Sequence, residues 1–205
     1  MTDSDPHHAY KAFSRHVPVW ITRMLLVNLP PGLTQALRLA HPSMELHVAR
    51  ECAHLKEQTG IYDAVVWALE ADTRPDLAEA LQTLSPRLSS EGYFFVLLNA
   101  PEDDAIIPAI QKAGWELYTR WDGLGSAGSF ILFMRTGYDP VAHARRFFDA
   151  RRPDWSCKIL DEVPDSLLTD RERIIEVRLE HLLSLLSWAK SFPEQVLEFF
   201  TKAQH

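Results

Sequence analysis

At 205 residues, with 46% hydrophobic and 24% charged side chains, the chain is long enough for one domain with a real core plus a small appendage, and too apolar to be disordered. The formal charge of −7 argues against a nucleic-acid binder, which presents a basic face. Cys52 and Cys157, far apart and in no CxxC pattern, suggest neither a disulfide framework nor a zinc site.

The polar residues 1–8 lack the apolar centre of a signal peptide. No apolar run approaches the ~20 residues that span a bilayer. The expectation is a soluble protein of the reducing cytoplasm, with no membrane partner.

Ala9 to His16 reads as a short helix with Tyr10 and Phe13 on one face, ended by Pro18. Met24 to Val27 is a first strand. Asn28-Leu29-Pro30-Pro31-Gly32-Leu33 is the turn into a helix, Thr34 to Ala40, closed by His41-Pro42. Met44 to Ala49 is a second strand, and Cys52 to Gln58 supplies one or two helical turns stopped by Gly60. Tyr62 to Leu69 is a β-rich apolar run, as a strand covered on both faces requires.

Pro75 opens a helix from Asp76 to Leu84. A turn at Ser89-Ser90-Glu91-Gly92 delivers the apolar strand Tyr93 to Leu98. Ile106 to Ala113 is helical and ends at Gly114, the residue type favoured just past a helix end. Trp115 to Trp121 and Ser129 to Arg135 are strands joined by a glycine-rich, hairpin-like link. Alternating strands and helices imply a mostly parallel sheet with helices on both faces. The last closely linked pair implies a late antiparallel strand.

From Gly137 the pattern is all helix. Asp139 is an N-cap followed by Pro140 at the first helical position. Asp154 and Asp170 can cap two further helices, and Pro193 starts a last one. The expected organisation is a helical lead-in over 1–22, an α/β domain over 23–136 and a helical extension over 137–205.

The order of segments from Met24 to Arg135 resembles the class I S-adenosylmethionine-dependent methyltransferases. Tyr62-Asp63-Ala64-Val65-Val66 looks like the family's fourth strand. Leu84-Ser85-Pro86 with Gly92 looks like its LxPxG stretch, and Tyr93 to Leu98 followed by Asn99-Ala100-Pro101 looks like its fifth strand and exit loop. Gly114-Trp115 and Phe130-Ile131-Leu132-Phe133 fit its last strands. The resemblance implies a Rossmann-like methyltransferase fold.

The family's cofactor motif, a strand ending in an acid and then GxGxG, falls on the first turn. The acidic position becomes Leu26, the glycines become Asn28 and Pro30, and only the third survives as Gly32. Proline fixes φ near −65° and removes an N–H, whereas glycine serves close backbone approach and positive φ. The acid that ends the family's second strand and holds the ribose hydroxyls becomes Ala49, followed by Arg50. Only residues 51–62, twelve positions, separate Arg50 from Asp63. A helix of ~10 residues, a strand of ~5 and their loops need roughly 20, so the third strand and its helix are shortened or missing.

Asn28, Gly32, Arg50 and Glu70 are the candidate cofactor contacts, and no general base or catalytic constellation stands out. Glu70 and Asp72 come after the strand where substrate chemistry sits in such folds, although paired loop carboxylates usually face solvent. His47, Glu51 and His54 have no regular spacing that converges them on a metal. Arg145, Arg146, Arg151 and Arg152 interleave with Phe147, Phe148 and Trp155. That pattern fits an anion-binding patch, or an amphipathic helix whose arginines are solvated or pair with Asp149 and Asp154.

The sequence therefore favours a methyltransferase-like protein with no cofactor and a non-catalytic scaffold or partner-binding role. A protein partner, or a second copy, would be met through the C-terminal helices around Leu182 and Leu186. The alternative is an active methyltransferase that binds S-adenosylmethionine through a rebuilt turn.

Overall fold

The computed structural model describes residues 6–50, 52–69, 77–98, 106–122, 128–150, 152–161, 163, 182–184, 186–191 and 194. The chain divides into two compact units, Met1–Tyr138 and Asp139–His205.

The first unit is a six-stranded sheet with helices on both faces. Its strands are β1 (Arg23–Val27), β2 (Glu45–Ala49), β3 (Tyr62–Leu69), β4 (Leu88–Leu98), β5 (Trp115–Trp121) and β6 (Ser129–Arg135). Its helices are α1 (Pro6–His16), α2 (Pro31–Ala40), α3 (Leu77–Leu84) and α4 (Ile106–Lys112). The strand order is β2-β1-β3-β4-β6-β5. β1 is parallel to β2 and to β3, and β3 is parallel to β4, whereas β6 runs antiparallel to both β4 and β5. This is the mostly parallel sheet with a late antiparallel strand that the alternation of segments implies.

The apolar runs become strands because both faces of the sheet are covered. Leu25, Val27, Val65, Trp67, Phe94, Val96, Ile131 and Phe133 share one core with Leu77, Leu81 and Leu84 of α3 and Ile106 and Ile110 of α4. On α3 these leucines recur at i, i+4 and i+7, the spacing of one helical face. The alternate strand residues point the other way, where Phe13 of α1 stacks on Phe130 at 4.0 Å and meets Phe95 edge-on at 5.3 Å. Each fully buried side chain of this size contributes about 1.5–3 kcal/mol.

One local feature differs from the sequence pattern and a second follows it. Ser89 to Gly92 forms no turn before the strand but lies within β4, where Tyr62 pairs with Leu88 and Ala64 already pairs with Tyr93. The polar residues are bulged out of the ladder, and a bulge uses the same small polar residues as a turn. Gly92 is required there, because a Cβ would run into the Leu88 side chain and lie 3.0 Å from the Ser89 carbonyl oxygen. The second feature is the edge of the sheet. Residues 52–61 hold a short 3-10 helix, Cys52–Lys56, and no strand, so among the described residues β2 pairs with β1 alone. The shortening inferred from the spacing leaves β2 as an open edge.

In the second unit, α5 (Pro140–Asp149) starts as its sequence predicts: Asp139 Oδ1 accepts from the N–H groups of Val141 at 2.9 Å and Ala142 at 3.0 Å. α6 (Pro153–Asp161) differs, since Asp154 lies inside its first turn rather than at the cap. Pro153 takes the first helical position, and the Arg152 carbonyl accepts from Ser156 N–H at 3.1 Å. The Asp154 carboxylate instead receives Arg152 Nε at 3.0 Å and Nη2 at 2.8 Å, while the same guanidinium lies 3.5 Å over the Trp155 ring. Of the two later helices, residues 182–184, 186–191 and 194 are helical, and the rest lies outside the described residues. Among the described residues, no helix is long and apolar enough to cross a membrane.

Candidate functional site

In open sheets of this kind, ligands bind outside the carboxyl ends of the strands, where the strand order reverses. Here that point lies at the C-terminal end of β1, between β2 and β3. Asn28 occupies it with φ of +52°, the only non-glycine residue with positive φ among the described residues. Asparagine tolerates this left-handed conformation better than most side chains. Its N–H donates to Ala49 O at 2.9 Å, and its Nδ2 reaches Ala68 O at 3.4 Å, so it links the ends of the two flanking strands. The positive φ expected of a glycine turn is thus present, carried by asparagine at the position of the motif's first glycine.

Past Asn28 the turn departs from a glycine-lined one. Pro30, with φ of −56° and ψ of 138°, is the N-cap of α2, and Pro31 is its first residue. Neither carries an N–H. The Pro30 carbonyl accepts from Leu33 N–H at 3.0 Å and Thr34 N–H at 3.3 Å. Gly32 lies within the first turn of α2 and does not have positive φ. It is the first residue of the helix with an N–H to offer. At the end of β2, Ala49 is buried beside Val27, its partner in the ladder. Among the described residues no carboxylate stands there.

Beside this turn lies an open groove of about 750 Å³, lined by Asn28, Leu29, Pro31, Thr34, Gln35, Arg38, Val48, Ala49 and Arg50. Thr34 and Arg38 lie one helical turn apart, so α2 forms one wall. Val48, 47% exposed at the open edge of the sheet, gives the groove an apolar element. Arg38 and Arg50 are exposed and make no ion pair or hydrogen bond among the described residues.

Of the candidate contacts, the structure brings Asn28 and Arg50 to this groove and places Gly32 in the adjoining helical turn. Glu70 and Asp72 lie outside the described residues, as does Glu51. His47 belongs to a different cluster, bonding Glu45 at 2.6 Å while Arg23 holds the same carboxylate at 3.0 Å. The His47 hydrogen bond, aided by the Arg23 charge, lowers the Glu45 pKa. Among the described residues, no group of three or more histidine, cysteine or acidic side chains is arranged to hold a metal. Arg38 was not signalled by the sequence, because a single arginine on a helix surface gains meaning only when β2 is placed opposite it.

At the other end of β1 stands a structural carboxylate. Asp63 Oδ2 accepts from Thr22 N–H at 2.9 Å, Thr22 Oγ1 at 2.7 Å and Arg23 N–H at 3.0 Å. It fastens the start of β1 to β3.

No protein-family model matches the chain, and no curated protein sequence matches it. Solved structures do. The mitomycin 7-O-methyltransferase MmcR superposes with a TM-score of 0.50 at 8% identity, covering 63% of this chain and 54% of that one. Phosphoethanolamine N-methyltransferase 2 of Haemonchus contortus, solved with phosphomonomethylethanolamine and S-adenosylhomocysteine, superposes with a TM-score of 0.51 at 13% identity. That match covers 77% of this chain and 43% of the enzyme. The chain thus spans about half the length of the structures it matches. At such identities the likeness is one of fold: the sheet domain has the Rossmann-like methyltransferase architecture.

Proposed function

We propose that this chain is a non-catalytic, methyltransferase-like protein of the cytoplasm that acts as a scaffold or partner-binding subunit. The observation that carries the reading is the donor set at the C-terminal ends of β1 and β2. Where the family would place a glycine-lined turn and a ribose-binding acid, this chain has Pro30-Pro31 and the buried Ala49, followed by Arg50. The prolines offer no N–H to a carboxylate, and a guanidinium repels the sulfonium of the methyl donor while offering nothing that accepts from a ribose hydroxyl.

Thermal unfolding of the purified protein with and without S-adenosylmethionine tests this. A one-site ligand at 100 times its Kd adds about 2.7 kcal/mol of stability. The reading expects no shift, and a saturable rise in Tm would falsify it.

The association role is supported by Leu182, Leu183 and Leu186, exposed at 53%, 64% and 59% in the second unit. Isolated exposed leucines are ordinary, but three within five residues on helical backbone form an apolar surface of the kind that partners cover. Replacing Leu182 and Leu186 by glutamate should reduce the mass seen by light scattering to that of a monomer or remove co-purifying protein. An unchanged assembly would count against this surface.

A second reading, an active S-adenosylmethionine-dependent methyltransferase with a rebuilt turn, is favoured by the positive φ that Asn28 retains.

A further inference from the structure

We infer that the groove between α2 and the end of β2 is a binding site for a phosphate-bearing small molecule. The inference goes beyond the non-catalytic reading and rests on it only in requiring that the methyl donor does not occupy the same space.

Three observations converge. First, among the described residues the lining contains two cations and no acid, in a chain whose formal charge is −7. Second, those cations have no partner among the described residues. Elsewhere in the first unit Arg23 binds Glu45, Arg120 binds Asp122, and Arg87 and Arg135 donate to main-chain carbonyls. Arg38 and Arg50 have no such acceptor among the described residues, although both line one groove. Third, the position has a chemical logic. At the end of the second strand of a doubly wound sheet, an acid suits ribose hydroxyls, whereas an arginine suits a phosphate on the nucleotide.

A guanidinium offers paired N–H donors that match two phosphate oxygens, and two guanidiniums beside one groove match a dianion better than a carboxylate. Thr34 Oγ1 and the amides of Asn28 and Gln35 add neutral polar groups. Exposed Val48 supplies apolar surface for the organic part of such a ligand. Phosphate held by exposed arginines is screened by salt, so binding should weaken as ionic strength rises.

The test is calorimetric titration of the full chain with inorganic pyrophosphate, ADP and adenosine, at low and at physiological salt, with S-adenosylmethionine as a separate arm. ADP should bind at least tenfold more tightly than adenosine. Binding by ADP but not pyrophosphate assigns an organic phosphate, and equal binding by both assigns the phosphate alone; either result supports the site. The Arg38→Gln and Arg50→Gln variants should each lose about tenfold in affinity or more. Both residues are exposed, so the variants should keep the parent Tm, which is checked in parallel. Absence of ADP and pyrophosphate binding, adenosine binding as tight as ADP, or undiminished affinity in both variants would overturn the inference. Binding in the S-adenosylmethionine arm alone would defeat the non-catalytic reading as well, whereas silence in every arm leaves that reading standing and removes only the phosphate site.

Discussion

The two ends of β1 are built on opposite principles. At the N-terminal end one carboxylate, Asp63, takes three hydrogen bonds from Thr22 and Arg23, and the Arg23 side chain is spent on Glu45. At the C-terminal end the Asn28 side chain makes a single long bond of 3.4 Å, and the arginines alongside have no internal acceptor among the described residues. One end satisfies its polar groups from within and serves stability. The other leaves polar groups facing a groove, which is what a binding end requires. The groups that fasten the fold and the groups that line the groove thus sit at opposite ends of the same strand, where they can vary independently.

Mutations at the two ends should separate these roles, provided acid effects from the second unit are kept out. The largest effect comes from that unit. Burial pushes the His143 imidazole down from 6.5 to about 4. The unfolded chain therefore takes up a proton near pH 6.5 that the folded chain refuses until about pH 4. Stability is full above pH 6.5 and falls as pH drops through that window, by about 1.4 kcal/mol per unit and about 3 kcal/mol in all. Denaturant titrations at pH 7 and pH 4.5 should show the loss, and a His143→Gln variant should flatten it.

At neutral pH the stability end comes next. Asp63→Ala removes an acceptor shared by three donors, and hydrogen bonds to charged groups contribute about 1.5–3 kcal/mol each when buried. Solvent reaches part of this cluster, so a loss of about 2 kcal/mol is expected, or roughly 4–8 °C in Tm for a chain of this size. A change below 0.5 kcal/mol, the ordinary range of surface substitutions, would erase the contrast between the two ends.

The binding end should be less sensitive. Asn28→Ala keeps the left-handed backbone without the side chain that tolerates it, which costs about 1 kcal/mol. Asn28→Gly should restore the parent stability to within a few tenths of a kcal/mol. If glycine proves no better than alanine, the amide bond to Ala68, not the backbone, sets the turn.

Much of the fold was legible in the sequence. The strands Tyr62–Leu69 and Ser129–Arg135 are near-continuous apolar runs, which buried strands must be, and Asp139-Pro140 announces its helix through capping chemistry. The bulge at Ser89–Gly92 was not legible, because small polar residues mark both a turn and an extruded stretch. Nor was the Asp63 clamp, whose partners lie about 40 residues away. The site was half legible. Asn28 and Arg50 emerge from aligning strand ends, whereas Arg38 joins them only once the open edge of β2 is known. The two prolines carry no N–H by their chemistry alone, whereas the positive φ of Asn28 is visible only in the folded turn.

The central claim is that the turn after β1 does not cradle the methyl donor. The most direct measurement is an amide-resolved NMR titration of labelled protein with S-adenosylmethionine, following the N–H signals of Leu29 and Gly32, the donors that flank the two prolines. The account predicts that both stay in place up to millimolar ligand. Saturable movement of these two signals, centred on the turn, would contradict it.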